Sequence, residues 1–382
     1  MSLKILVVTE ANSWVDSHIS ASLEDMGHTV FRFYYGDFIG EFYGKSRYAE
    51  QIEKNKQLVL TANQLLQNNH LNLIFCYVQD DFLIPEYAHQ LAKLDLPFVV
   101  YNVDMACQWY RLTRTAKYFS RILCAQPDNM SNISRYNPNV LYFPMAARKS
   151  LLANNNQNTF EPHASVTFLG TPTLYRLQIL SLLIQANTPL AIYGKYWKTK
   201  QIATPSRNIE KTIQDIWHYG AARLRGEGIL PLYKALKRRL VNNKNTLSAN
   251  TVPSHIIHEF LPDDAIGPLF QLSKINLGFT RTSENHPHQR GSYQMRLRDF
   301  EVPYTGGFYL VEKAPGYETF YSEGREVVTW STPEDLIDKI SYYLSHEKER
   351  EAIAKAGQQR ALAEHTWEHR FNMLFQELGI KY

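Results

Sequence analysis

The chain has 382 residues, of which 44% are hydrophobic and 20% charged. These values are ordinary for globular proteins and exclude a disordered or fibrous chain. Its three cysteines show no Cys-x-x-Cys spacing, which argues against a disulfide framework or a zinc site and fits a reducing cytoplasm. The first apolar run is too short for a signal peptide, and no run of about 18 apolar residues would span a membrane. We therefore expect a cytoplasmic protein of two domains.

The first 150 residues alternate between apolar runs and helical stretches. The predicted strands are Ile5–Val8, Thr29–Phe33, Leu71–Tyr77, Leu96–Tyr101, Arg121–Ala125 and Val140–Phe143. Helical patterns near 48–67 and 85–94 separate some of them. Strands that alternate with helices predict a doubly wound parallel sheet, so residues 1–150 are interpreted as a Rossmann-like lobe.

A polar stretch, Asn154–His163, is the best candidate for a linker, and the alternation resumes after it. The second set of predicted strands is Ser165–Leu169, Leu190–Tyr193, Ile275–Phe279, Phe308–Val311 and Glu326–Thr329. A helix is predicted to begin at Thr332-Pro333, and helical patterns cover 334–344 and 347–378. We assign residues 164–360 to a second Rossmann-like lobe. The C-terminal helix, 361–382, is a candidate for crossing back to the first lobe.

A glycine and an arginine follow the first strand of the second lobe. Val166–Leu169 meets Gly170, where a backbone without a side chain lets a ligand approach closely, and Arg176 lies in the first turns of the next helix. Backbone N–H groups at a helix start bind phosphates well, so this segment is a candidate diphosphate cradle. Neither a P-loop nor a Gly-x-Gly-x-x-Gly motif occurs. The alternative is a tight turn followed by a solvated arginine.

A second group of charged residues follows the strand near Ile275–Phe279. Four arginines, Arg281, Arg290, Arg296 and Arg298, surround the expected path of an anion. Glu301, near the end of the helix that follows, is suited to accept hydrogen bonds from two ribose hydroxyls. A solvated, charged helix face is the alternative interpretation.

The stretch from Leu272 to Arg370 resembles the C-terminal lobe of the CgeB-like (spore-maturation type) glycosyltransferases, relatives of the large retaining GT-B group. The resemblance covers about half the chain. Its motifs, which follow one another in order, are Ser273-Lys-Ile-Asn-Leu-Gly, Arg298-Asp-Phe-Glu-Val-Pro-Tyr-Thr-Gly-Gly, Glu323-Gly-Arg-Glu-Val-Val, Pro333-Glu-Asp-Leu, Tyr343-Leu-Ser-His, Ile353-Ala-Lys-Ala-Gly and His365-Thr-Trp-Glu-His-Arg. Phe168-Leu-Gly170 and Tyr193-Gly194 also fall where that lobe places them.

The resemblance implies roles for particular residues. Gly170 and Arg176 are implied to meet the donor diphosphate, and Glu301 the ribose. Phe260-Leu261 is implied to border the nucleotide base. The larger retaining group has a second Glu eight positions before the ribose Glu, where this chain has Tyr293. This departure leaves open whether the anomeric configuration is retained or inverted.

The sequence predicts no metal site. The alternative transferase fold, GT-A, uses an Asp-x-Asp motif, which does not occur here, and the 13 histidines form no His-Glu-x-x-His pair. On the acceptor side, Asp104 follows the strand Leu96–Tyr101 and is a candidate to act as general base or to orient the transferred sugar, although it is equally suited to cap the next helix. His18 also follows a strand, but a structural histidine is the better interpretation there.

These observations together predict an α/β protein of the GT-B type, with two Rossmann-like lobes, parallel sheets and an active-site cleft between the lobes. The expected activity is transfer of a sugar from a nucleotide-diphosphate sugar to an acceptor hydroxyl, without a metal or other cofactor. The acceptor is unknown: a glycan, a lipid-linked molecule or a small molecule. The alternatives are a nucleotide-sugar epimerase and a GT-B-shaped binding or scaffold protein without turnover.

A basic segment interrupts the second lobe at about 198–255. Between Lys195 and Lys244 there are 12 Lys and Arg against 3 Asp and Glu, whereas the rest of the chain is mildly acidic. Residues 229–240 combine apolar and basic faces at helical spacing, a pattern that can hold a peripheral protein at an anionic membrane. The alternatives are packing against the lobe and, with less support, nucleic-acid binding, for which no recognisable module occurs.

Overall fold

A computed structural model describes residues 2–11, 13–37, 47–104, 108–153, 161–198, 220–229, 233, 252–282 and 293–381. The chain divides into two compact units. The N-terminal unit comprises Met1–Pro144, Arg207–Lys237 and Trp367–Tyr382, and the C-terminal unit comprises Met145–Ser206 and Arg238–Thr366. Within the described ranges, no helix has the length and apolar character needed to cross a membrane.

The N-terminal unit is built on a six-stranded parallel sheet. In chain order its strands are β1 (Lys4–Thr9), β2 (Thr29–Tyr34), β3 (Leu73–Cys76), β4 (Phe98–Asn102), β5 (Arg121–Cys124) and β6 (Val140–Tyr142). Their spatial order is β2-β1-β3-β4-β5-β6. Strands β3 and β4 are buried throughout, as expected of aliphatic runs that helices cover on both faces.

Helices cover this sheet on both sides. They are α1 (Ala21–Asp25), α2 (Tyr48–Asn69), α3 (Pro85–Ala92), α4 (Met130–Ile133) and, from the end of the chain, α11 (Trp367–Glu377). The apolar face of α11 belongs to the core of this unit, since the ring of Phe371 lies 6.0 Å from those of Phe75 and Phe143. Residues 220–227 are helical, and Tyr136 Oη donates to the carbonyl of Arg225.

The C-terminal unit also contains a six-stranded parallel sheet. Its strands are β7 (Val166–Leu169), β8 (Leu190–Tyr193), β9 (Ile257–His258), β10 (Ile275–Gly278), β11 (Tyr309–Glu312) and β12 (Val328–Trp330). The spatial order is β12-β11-β10-β7-β8-β9, which is the order of a Rossmann sheet. The chain reverses its direction of travel across the sheet between β7 and β10. Ligands of such sheets bind beyond the carboxyl ends of the strands at this switch point.

The helices described in the C-terminal unit begin before its first strand and continue between and after the other strands. They are α5 (Ser150–Ala153), α6 (Leu174–Gln185), α7 (Asp263–Leu272), α8 (Leu297–Tyr304), α9 (Pro333–Ser345) and α10 (Glu347–Glu364). Helix α9 begins as the sequence predicts, with Thr332 accepting a hydrogen bond from the backbone of Asp335 and Pro333 in the first turn. The structure ends α10 at Glu364, whereas the sequence pattern predicts one helix through to residue 378.

The two parallel sheets with flanking helices confirm the predicted α/β fold class. One strand, β9, was not predicted from the sequence. It contains only two residues, which is too few to give a hydrophobic pattern of its own.

Candidate active site

Two glycines at neighbouring strand ends form the floor of the candidate site. A Cβ atom on Gly170, directly after β7, would lie 2.7 Å from Cζ of Phe168. A Cβ atom on Gly194, directly after β8, would lie 2.2 Å from the carbonyl oxygen of Gly170. The two strand ends therefore touch backbone to backbone, and side chains at these positions would not fit. The missing side chain at Gly170 leaves room for the Phe168 ring and the Arg176 guanidinium, and the missing side chain at Gly194 leaves room for the Gly170 carbonyl.

Helix α6 begins immediately after this floor. Thr173 caps it by accepting a hydrogen bond from the backbone N–H of Arg176 at 3.2 Å. The other N–H groups of the first turn have no partner within the helix, because the first four donors of any α-helix lack one. Together with the helix dipole they favour a negatively charged ligand.

The guanidinium of Arg176 is buried at this helix start. It donates to the carbonyl oxygen of Thr171 at 2.8 Å and lies 5.4 Å from the ring centre of Phe168. Within the described parts of the chain no carboxylate is paired with it. Burial lowers the pKa of Arg176, and the nearby positive charge of Arg296 lowers it further. Because arginine remains charged at neutral pH, this is a buried cation that an anion would stabilise.

Arg296 brings a second guanidinium to the switch point. It precedes α8 and donates to the backbone carbonyls of Phe279, Gln294 and Arg281, the last two at 3.3 and 3.4 Å. The ring of Phe279, which follows β10, packs edge-on against Phe168 at 5.0 Å. This contact joins the ends of β7 and β10, so both guanidinium groups belong to one edge of the sheet.

Glu301 lies in the middle of α8 and is 1% exposed. Its carboxylate forms an ion pair with Arg298, whose guanidinium is partly exposed. A ribose that binds Glu301 must therefore compete with Arg298 for the carboxylate oxygens. The neighbouring Asp299 is a structural group, since it accepts a hydrogen bond from the backbone N–H of Arg296 at 2.7 Å and closes the start of the helix.

A cavity of about 650 Å³ opens at the carboxyl ends of β10, β11 and β12. Its lining includes Arg281 and Tyr293 together with the carboxylates Glu312, Glu318 and Glu323. Lys313, Ala314, Pro315 and Ser331 complete the lining. The cavity thus combines one aromatic ring with several hydrogen-bonding groups, the composition that small polar ligands require.

Glu312, the last residue of β11, organises this cavity and was not predicted from the sequence. Its carboxylate accepts hydrogen bonds from Tyr175 Oη at 2.6 Å and from the backbone of Arg281 at 2.9 Å. The Arg281 side chain lies 3.2 Å from the same carboxylate, and its guanidinium covers the ring of Tyr175 at 4.7 Å. Burial and the negative charge of Glu312 raise the pKa of Tyr175. Arg281 is thus held in place by a buried anion.

Phe260 and Leu261 follow the edge strand β9. The Phe260 side chain is 46% exposed, and the ammonium of Lys195 lies 4.8 Å from its ring. Leu261 is partly buried and precedes Pro262, where α7 is capped. An exposed ring at this edge is available for stacking on a base, and the role of both residues stays a prediction. Arg290, the remaining predicted donor residue, lies outside the described residues.

Asp104 lies in the N-terminal unit, just beyond β4. Its backbone N–H donates to Asn102 Oδ1 at 3.0 Å, and its carbonyl accepts from Gln108. His18 is buried in a single turn of π-helix, Asp16–Ser20, that follows the first strand. Turns of this kind are rare and are often found at functional sites.

Comparison with known proteins agrees with this architecture. Residues 232–376 match the model of a family described as glycosyl transferase-like. No curated protein sequence matches the chain. Its fold is shared by sucrose-phosphate synthase from Thermosynechococcus elongatus, with a TM-score of 0.57 and 12% identity over 98% of this chain and 99% of that one.

Two further solved structures share the fold. HepE from Anabaena, in complex with UDP-glucose, has a TM-score of 0.57 and 11% identity over 99% of both chains. A glycosyltransferase from Rickettsia africae has a TM-score of 0.56 and 10% identity over 99% of this chain and 98% of that one. The chain therefore has the GT-B fold.

Proposed function

We propose that the chain is a glycosyltransferase that moves a sugar from a nucleotide-diphosphate sugar to an acceptor hydroxyl. The observation that carries the proposal is the buried guanidinium of Arg176, which has no carboxylate partner in the described part of the chain. It lies beside Arg296 and at the start of α6. This is a site for a compact, highly charged anion such as a diphosphate. The glycosyl transferase-like match and the UDP-glucose complex of HepE support the same class of ligand.

The proposed reaction needs a stabilised leaving group. The acceptor oxygen forms a bond to the anomeric carbon, and the bond between that carbon and the diphosphate oxygen breaks. The electron pair remains on the diphosphate, where Arg176, Arg296 and the N–H groups of α6 stabilise the new charge. The acceptor proton passes to Asp104, which we propose as the general base. No metal ion takes part in this scheme.

The other proposed contacts with the donor also involve residues near the carboxyl ends of the C-terminal sheet's strands. We propose that Gly170 lets the diphosphate approach the backbone and that Glu301 binds the ribose after Arg298 gives way. Phe260 and Leu261 then border the base. Arg281, held by Glu312, and the cavity beside it are proposed to receive the transferred sugar, with Arg290 as a further anion contact.

We propose that the protein belongs to the CgeB-like subgroup and is cytoplasmic. We also propose that the basic segment 229–240 binds an anionic membrane surface, which would bring the enzyme to a lipid-linked acceptor. Of the residues in this segment, the structure describes only Ile229 and Tyr233. Co-sedimentation with phosphatidylglycerol vesicles and with phosphatidylcholine vesicles across a salt series tests it. Binding that is equal on both lipids and indifferent to salt would contradict membrane docking.

The central experiment measures both binding and turnover. Thermal shift with a panel of nucleoside diphosphates identifies the base, and a ligand present at about 100 times its Kd adds about 2.7 kcal/mol to the free energy of unfolding. Nucleotide-sugar consumption is then followed with and without candidate acceptors. Release of the nucleoside diphosphate with formation of a glycoside supports the proposal. A chain that binds none of these nucleotides would overturn it.

A further inference from the structure

The N-terminal sheet has a switch point of its own. Strand β2 lies on one side of β1, and β3 lies on the other. Glu10, Gln79 and Asp104 follow β1, β3 and β4, three neighbouring parallel strands, so they share the carboxyl edge of the sheet. In sheets of this type, ligands bind at this edge.

Several buried polar atoms at this edge have no hydrogen-bond partner. They are the hydroxyls of Thr9 and Tyr101, Nδ2 of Asn102 and Oε1 of Gln79, and none is paired within the described ranges. The side chains of these residues are between 0 and 5% exposed. Nearly all buried polar groups in proteins are hydrogen-bonded. Two of the four atoms are hydroxyls, one is only a donor and one is only an acceptor, so the group that satisfies them must both donate and accept.

The register places two of these residues, Thr9 and Tyr101, in one row across the sheet. Val8, Cys76 and Val100 are aligned on β1, β3 and β4. The residues that come next after these three therefore also lie in one row across the sheet. They are Thr9, Tyr77 and Tyr101. Asn102 ends β4 directly after this row.

An aromatic ring stands over the same row. Trp14 is partly exposed, and its ring lies 5.6 Å from Tyr77 and 6.3 Å from Tyr101, edge-on to both. The ring of His18, in the π-helical turn, lies 5.9 Å from the Trp14 ring and is edge-on to it. A partly exposed indole beside convergent polar groups is the usual construction of a site for a small amphipathic ligand. Pyranose rings are such ligands, because one face is apolar and the rim carries hydroxyls.

The charges at this edge favour a neutral ligand. Burial raises the pKa of Tyr77, and the carboxylates of Asp104 and Glu10 raise it further, so both carboxylates lie near this hydroxyl. Arg370, which acts electrostatically on Tyr101, donates its Nε to the carbonyl of Pro144. Carboxylates accept hydrogen bonds from sugar hydroxyls and repel phosphates and acidic sugars.

We propose that this edge binds the acceptor of the transfer reaction and that the acceptor is a neutral pyranose. Its apolar face lies on Trp14, and its hydroxyls bind Glu10, Gln79 and Asn102. These residues, with Tyr77, form what we term the Trp14 cluster. The identity of the ligand as an acceptor rests on the proposed transferase function, whereas the binding of a neutral pyranose does not.

Saturation-transfer NMR on the full chain without nucleotide tests the site. The neutral probes are the methyl glycosides of glucose, galactose, mannose and N-acetylglucosamine, and the charged probes are glucuronate and glucose 6-phosphate. We expect at least one neutral glycoside to give a signal at least fivefold stronger than either charged probe. Trp14→Ala and Asn102→Ala should reduce that signal at least fivefold. Tyr48→Ala, which removes an exposed ring from the same unit, should leave it unchanged.

Melting temperatures show which variants are folded, and Trp14→Phe, which keeps a ring, should retain most of the signal. Any of three results would overturn the proposed site. Charged sugars would bind as well as neutral ones, or the glycoside signal would survive Trp14→Ala. The third result is no glycoside signal in the parent protein, which is expected if water alone satisfies the polar atoms. A nucleoside diphosphate is titrated in parallel. If it binds and glycosides do not, only the Trp14 cluster fails; if glycosides bind and no nucleotide does, only the transferase proposal fails.

Discussion

The guanidinium of Arg176 lies 5.4 Å from the ring centre of Phe168, and both residues flank Gly170 at the end of β7. The ring shields one face of the cation from water and contributes no negative charge. In a protein this arrangement is costly unless an anion binds there. Removing the buried charge of Arg176 should therefore weaken anion binding without lowering the stability of the free protein.

We predict that Arg176→Met loses anion binding without losing stability. Methionine keeps much of the length and apolar contact of the arginine stem but has no charge to bury. The Kd for nucleoside diphosphate and for pyrophosphate should rise about 10- to 150-fold, corresponding to about 1.5–3 kcal/mol for a charge-assisted hydrogen bond. The melting temperature of the free protein should be unchanged or higher.

Isothermal titration calorimetry and thermal melts measure these two effects. Arg360→Met is the matched control, since Arg360 is a partly exposed residue of α10 that pairs with Glu364 and donates to the carbonyl of Phe320, away from the candidate site. It should leave both ligands bound as in the parent. Parental diphosphate affinity in Arg176→Met would remove this residue from the donor site.

Glu301 should affect the nucleoside and not the phosphates. We predict that Glu301→Gln weakens nucleoside diphosphate binding by about 1.5–3 kcal/mol and leaves pyrophosphate binding unchanged, because the part of the ligand proposed to contact this side chain is the ribose, which pyrophosphate lacks. Glu334→Gln, an exposed glutamate of α9, is the control. If Glu301→Gln weakens the binding of pyrophosphate as much as that of the nucleoside diphosphate, Glu301 acts by positioning Arg298 and does not bind the ribose.

Most of the fold could be predicted from the sequence because many of its strands, such as β3 and β4, are apolar runs buried on both faces. The break between α10 and α11 could not, since the apolar spacing continues through it. Tertiary contacts make the break: His365 Nε2 lies 3.0 Å from the carbonyl of Phe320, and the His365 carbonyl accepts from the backbone of Ala147. Neither partner is near His365 in sequence.

The site could be predicted only where one short segment contains all of its parts. Gly170 and Arg176 stand six positions apart across a strand–helix turn, so their proximity follows from local geometry. The role of Glu312 depends on Tyr175, Thr280 and Arg281, which come from two distant segments. The one signal in the sequence is a glutamate that closes an aliphatic strand, where a charge needs a partner.

The buried carboxyl of Asp299 should make stability depend on pH. Burial raises the pKa of this group to about 6, against an ordinary value of 3.8. Between about pH 4 and pH 6 the folded state therefore holds a proton that the unfolded state has released. The contribution of Asp299 to stability is present below about pH 4 and is lost as the pH rises through about 6.

Asp299→Asn removes this dependence, because the amide does not ionise. We predict that the free energy of unfolding of the variant, relative to the parent, rises between pH 4 and pH 7.5 by up to about 3 kcal/mol. Urea denaturation at both pH values measures it. For Asp335, hydrogen bonding to Lys339 and to the backbone of Ser331 outweighs desolvation and lowers the pKa, so its effect on stability falls below about pH 4 and Asp335→Asn should show almost no shift between pH 4 and pH 7.5. Parallel shifts in the two variants would contradict the assignment of the effect to the Asp299 carboxyl.

Asp104 should act in the chemical step. We predict that Asp104→Asn lowers kcat of sugar transfer about 100-fold or more, because an amide cannot take the acceptor proton, and leaves the Kd of the nucleotide sugar within about twofold of the parent. Neutral glycoside binding in the Trp14 cluster should also persist, since the amide still forms hydrogen bonds. Single-turnover kinetics with a saturating donor separates chemistry from binding.

Asp128→Asn, an exposed aspartate of the same unit, is the control and should keep the parental rate. The backbone of Asp104 bonds Asn102 and Gln108, so a purely structural role is the competing explanation. A variant that melts earlier, and whose lost activity matches its lost folded fraction, would assign Asp104 to the fold; a folded variant with the parental rate would exclude it as the base.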